Sequence, residues 1–129
     1  MSGETVWPRL TAYESMLLIL SALVTRGKTI LRQDTLVPKL YPFSDKENTS
    51  LLFDDIAFKH RCDSTTSIDV EDSLNMLQTY GAIGRLNPSY EKIIVYINQE
   101  EAEDFIKSFD KPFVEAAQQI SEAFDDENS

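Results

Sequence analysis

The residues that most constrain the fold are Met16–Val24, MLLILSALV, a run that is apolar on nearly every face of a helix. A helix apolar all round is stable only when neighbours cover it on several sides. Its start is marked by Thr11-Ala12-Tyr13-Glu14, the S/T-x-x-E spacing of a capping box. Gly27 follows Arg26 and suits the left-handed residue after a helix end. The chain is therefore expected to wrap its other elements around this one helix. Leu20 on this helix and Leu74 further on are expected core residues.

At 129 residues with 42% hydrophobic content, one ordinary core is within reach. No apolar run approaches the ~18 residues that span a bilayer. The start, MSGETVWPRL, lacks a basic segment followed by a signal-type apolar stretch. The expectation is a cytoplasmic protein with no membrane association.

The remaining elements follow from spacing. Lys28–Leu31 reads as a short first strand. A second helix is expected from Asp34 or Thr35, with Pro38 in or next to its first turn and Pro42 ending it. FSDKENTS (43–50) reads as a loop. A third helix, capped by Thr49 or Ser50, is expected to run to about Arg61, with Leu52/Ile56 and Phe53/Ala57 at i,i+4. Cys62–Thr66 is a second loop. Ser67 caps a fourth helix with Val70, Leu74 and Leu77 inward and Met76 and Tyr80 on its flanks, closed by Gly81. Ala82–Leu86 and Lys92–Ile97 form a hairpin around the turn signal Asn87-Pro88-Ser89.

Asn98 and Glu101 make a further capping box. Beyond it Ala102, Ile106, Phe109, Phe113, Ala116, Ile120 and Ala123 step alternately by four and three, with Phe105, Ala117 and Phe124 alongside. Pro112 should break this helix, with Asp110 capping the second piece. The domain reading is a unit at 1–98, a helical extension at 99–124 and a disordered acidic tail, DDENS, at the end. The apolar seam suits either the chain's own core or a partner, with Phe105, Phe109, Phe113 and Ile120 as its candidate anchors.

Net charge is −10 and uneven. Residues 1–98 carry 12 acids against 10 bases, and residues 99–129 carry 10 acids against 2 bases. Between Asp63 and Tyr80 there is no Lys or Arg, and the acids Asp63, Asp69, Glu71 and Asp72 are present. Lys and Arg contacts to phosphate supply most non-specific DNA affinity, so this helix should repel a duplex. Asp69, Glu71 and Asp72 instead suit a protein partner with a basic surface. The plain alternative is a solvated face that aids solubility.

Catalytic signatures are absent. The four glycines are scattered, so no phosphate-cradling loop forms. One histidine, His60, and one cysteine, Cys62, build neither a His-based nor a multi-cysteine metal site. No catalytic residue, metal or cofactor is expected, and the chain reads as a non-enzyme. Lys59, His60 and Arg61 are read as the basic end of the third helix.

The element order helix, short strand, helices, two-stranded wing resembles a winged helix. Met16–Val24, GKTILRQDTLVPKL (27–40) and SLNMLQTYGAIGRL…KIIVYI (73–97) carry the resemblance. The expected class is mainly α with a small β-hairpin, and the fourth helix stands where such proteins keep their DNA-reading helix. The chain is also similar to the small acidic winged-helix accessory subunits, or middle components, of bacterial SMC-like ATPase defence systems. That similarity implies a non-catalytic adaptor that contacts the ATPase or a linking subunit. Two other readings stand beside it. In a dimeric transcriptional regulator, Arg26, Lys28, Arg32, Arg85 and Lys92 would contact phosphates and the C-terminal seam would form the homodimer. A viral inhibitor could instead imitate DNA charge with Gln99–Asp104 and the tail.

Overall fold

The computed structural model describes residues 9–85 and 92–125. It is mostly helical, with a small antiparallel sheet. The central helix is α1 (Ala12–Thr25), and its residues Met16, Leu18, Ile19, Leu20 and Leu23 are fully buried. Both bonds of the capping box are made: Thr11 N–H donates to Glu14 Oε1 at 2.9 Å, and Glu14 N–H to Thr11 Oγ1 at 3.1 Å. Gly27 has φ 80°, the left-handed conformation that favours glycine.

Strand β1 (Ile30–Arg32) leads directly into α2 (Gln33–Leu40). The helix begins before Asp34, so Pro38 lies within it rather than at its first turn. Two 3-10 turns follow, Tyr41–Asp45 and Ser50–Phe53. A two-stranded hairpin, β2 (Lys59–Arg61) with β3 (Ser64–Thr66), precedes α3 (Ile68–Thr79). Then come β4 (Ile83–Arg85) and β5 (Lys92–Val95). The strand β5 lies between β1 and β4, antiparallel to both. The expected turn at Asn87–Ser89 lies outside the described residues.

The expected third helix from Thr49 or Ser50 to Arg61 does not form. Its apolar residues do turn inward, with Leu52, Phe53 and Ile56 buried, but only the first four residues are helical, in a 3-10 turn. Side chains from elsewhere then claim the backbone. Ala57 N–H donates to Asp69 Oδ2 at 2.8 Å, and Ser67 Oγ donates to the Ala57 carbonyl at 2.7 Å. Asp55 Oδ2 accepts from Ala12 N–H at 2.9 Å, so it satisfies the start of α1 instead of a helix of its own. Residues 59–66, expected as a helix end and a loop, become the β2–β3 hairpin with a two-residue tip, Cys62-Asp63.

The last two helices are α4 (Gln99–Lys107) and α5 (Lys111–Glu122). Asn98 and Glu101 make the expected capping box, and Asp110 stands at the N-cap of α5 with Pro112 in its first turn. Both helices pack on α1. Gln99 Nε2 donates to the Val24 carbonyl at 2.6 Å, a carbonyl at the end of α1 that also accepts from Gly27 N–H at 2.9 Å. The face Ala102, Phe113, Ala116, Ala117, Ile120 and Phe124 is buried in the same core as α1. Asp125, expected as the first residue of a disordered tail, pairs with Arg26; residues 126–129 lie outside the description. No helix among the described residues is long and apolar enough to cross a membrane.

Candidate functional site

The candidate site is the outer face of α3. Ser67 Oγ accepts from Val70 N–H at 3.2 Å and fixes the start, while Gly81, at φ 81°, turns the chain away at the end. Val70, Ser73, Leu74 and Leu77 point into the core. Ile68 and Asp72 lie on the opposite side, and Met76 and the C-cap residue Tyr80 continue from them in four-residue steps towards one flank. Ile68 is 67% exposed, Met76 44% and Tyr80 69%, three of the large apolar side chains that this surface leaves in solvent. Asp72 and Asn75 are exposed among them, and no cation lies on the helix.

The three acids of this helix do different things. Asp69 holds the Ala57 backbone. Glu71 receives Gln33 Nε2 at 2.9 Å and Arg85 Nη1 at 3.4 Å, which joins α3 to the start of α2 and to β4. Asp72 is exposed beside the apolar residues. Only Asp72 therefore combines charge, exposure and proximity to Ile68 and Met76.

The aromatic set expected as partner anchors is divided. Phe113 is 3% exposed and Ile120 is fully buried, both within the chain's own core. As surface anchors they are corrected: covering α1 is what their apolar surface does. Phe105 and Phe109 are half-buried and lie on separate clefts. Phe105 shares its cleft with Tyr80, so it alone of the four adjoins α3. The exposed residues Ile68, Met76 and Tyr80 had a readable signal in their steps of four and eight residues, out of phase with Val70, Leu74 and Leu77.

Clefts flank α3 on two sides, since Glu71 and Tyr80 are nine positions apart and project in opposite directions at ~100° per residue. The first, of about 330 Å³, lies against Gln33, Val37, Pro38, Ile68 and Glu71. The second, of about 260 Å³, is bounded by Tyr13, Leu17, Tyr80, Tyr96, Glu101 and Phe105.

Among the bases considered for phosphate contact, Arg26, Arg32 and Arg85 are committed to acids of the same chain. Arg26 pairs with Asp125, Arg32 Nη2 meets Asp34 Oδ2 at 2.9 Å, and Arg85 meets Glu71. The side chain of Arg85 is 7% exposed, so this β4 arginine is turned inward. The hydrogen-bonded pair of Arg26 and Asp125 raises the arginine's pKa and lowers the aspartate's.

The β2–β3 hairpin is the other polar feature. Lys59, His60 and Arg61 are exposed on it, with His60 stacked on Tyr41 at 4.9 Å and bonded through Nδ1 to Thr65 Oγ1 at 2.8 Å. Cys62, at its tip, is a free exposed thiol. Among the described residues, no group of three or more His, Cys, Asp or Glu side chains is placed to hold a metal ion. A scan against family models finds no match to this chain, and searches of curated proteins and of solved structures return none either.

Proposed function

We propose that the chain is a non-catalytic winged-helix interaction module, the accessory subunit of a larger assembly, which docks a basic protein segment on the outer face of α3. The winged-helix reading is supported by the order α1–β1–α2–α3–β4–β5 and by β5 lying between β1 and β4. In that scheme α3 takes the place of the reading helix and β4–β5 that of the wing. The β2–β3 hairpin is an addition between the second and third helices.

One observation carries the functional reading: the outward face of α3 combines Asp72 with exposed Ile68, Met76 and Tyr80 and has no cation. A phosphate backbone needs cations there. A protein partner instead offers apolar contact at the centre and basic groups at the rim, which these side chains complement. The inward turn of Arg85 removes a wing cation from the same side. The SMC-like ATPase assemblies named by the resemblance are the first class of complex in which to look.

The test compares wild type with Asp72→Lys and Met76→Ser in affinity purification from the native cells. Both positions are exposed, so folding should be retained. Docking on α3 requires that a stoichiometric protein partner seen with wild type be lost with either variant. Retention of that partner by both variants would move the interface elsewhere.

A further inference from the structure

The second cleft beside α3 is lined largely by aromatic side chains. Tyr13 and Tyr80 meet edge to face, their ring centres 5.9 Å apart and their planes at 78°. Tyr96, 59% exposed, lines the cleft with them, as do the partly buried Phe105 and Leu17. The Tyr96 ring lies across Gly84, where a Cβ would come within 2.6 Å of its hydroxyl oxygen. The absence of a side chain at Gly84 thus lets that ring lie against β4. Glu101 completes the wall; one of its carboxylate oxygens accepts from Asn98 N–H at 3.1 Å. No lining residue carries a positive charge.

We infer that this cleft binds one arginine side chain of the basic segment docked on α3; the inference rests on the proposed docking function and names its anchor. Aromatic faces attract a cation within about 6 Å through the ring quadrupole. Three tyrosines and a phenylalanine line the cleft of about 260 Å³. Arginine fits better than lysine. Its planar guanidinium stacks on rings, is weakly hydrated, and has five donors for tyrosine hydroxyls and the Glu101 carboxylate. Charge complementarity selects the occupant: the whole chain carries −10, and Glu101 of α4 stands in the cleft wall with no cation beside it. Tyr80 belongs to both features, at the end of α3 and in the cleft wall, so a segment lying along Asp72 and Met76 leads into the cleft.

The probe is a short Gly/Ser peptide with one central arginine between two lysines. It is titrated into the full chain while backbone amide and aromatic ring signals are followed by NMR. The amides of 68–80 and the ring signals of Tyr80, Tyr96 and Phe105 should shift together. Replacing the arginine by norleucine should weaken binding about tenfold, as should the paired change Tyr80→Leu and Tyr96→Leu. Tyr80→Phe with Tyr96→Phe keeps the ring faces and should retain most of the affinity. Amide shifts on α3 with unmoved ring signals, and full binding by the Leu variant, would overturn the cleft assignment and leave α3 docking standing. No shift in either place would overturn both. Equal binding of a peptide with lysine at the centre would overturn the arginine assignment. Concentration-dependent self-association of the free chain that Arg61→Ala abolishes would make the occupant a second copy and would also overturn it.

Discussion

Glu71 shows how much one side chain decides here. On sequence it is one of three acids at the start of a helix, where the dipole favours them. In the fold it binds Gln33 and the inward-facing Arg85, and so ties α2 and β4 to α3. Glu71→Ala should lower stability by about 1–3 kcal/mol, since bonds to charged groups are worth more than neutral ones. Urea denaturation reads this directly, and an unchanged midpoint would show the network to be idle. Leu20 and Leu74 are fully buried, and Leu→Ala at either should cost roughly 2–5 kcal/mol, read as a lowered denaturation midpoint. The Arg26–Asp125 pair adds a pH dependence of known sign. Asp125 has a lowered pKa because Arg26 holds its charged form. Its contribution is complete above the ordinary aspartate range and is lost as pH falls through the lowered value. Asp125→Asn should therefore flatten the acid limb of a stability–pH profile and leave its neutral limb unchanged in shape.

Among the elements, those specified by their own residues were legible in the sequence. Thr11/Glu14 and Asn98/Glu101 name the starts of α1 and α4, and Gly27 and Gly81 the ends of α1 and α3. The β-branched run Lys92–Val95 gives the central strand. The stretch 50–61 was misread because its fate depends on residues far along the chain. Leu52/Ile56 and Phe53/Ala57 have helical spacing, but Ser67, Asp69 and the start of α1 take the polar groups that a helix would have used. The C-terminal seam was legible as an apolar stripe, whereas its target was not: periodicity gives a face, never what covers it. With Phe113 3% exposed, Phe113→Ala should cost about 3–5 kcal/mol and lower the thermal midpoint. A folded variant of wild-type stability would put this side chain back on a partner surface. Of the candidate site, the acids and the four-residue step of Ile68, Met76 and Tyr80 were readable, but the tyrosine cleft was not, since Tyr13, Tyr80 and Tyr96 meet only in three dimensions.

The whole molecule is an α1-centred core with acid concentrated on α4 and along α3, and with several arginines already paired to acids. Net charge of −10 disfavours any polyanion at long range, and α3 adds no local cation to offset it. A fluorescence-anisotropy titration with mixed-sequence duplex DNA at physiological salt should therefore show no saturation at low-micromolar protein; sub-micromolar, sequence-selective binding would favour the regulator instead. The central claim, that α3 is a protein-docking face, is tested most directly on the complex itself. The chain is isolated with its partner from native cells after nuclease treatment, and carboxylates are joined to partner lysines with a zero-length cross-linker and mapped by mass spectrometry. The account predicts that the partner survives nuclease and that its links fall on Asp72 and the neighbouring acids of α3. Loss of the partner on nuclease treatment, or links confined to another face of the chain, would contradict it.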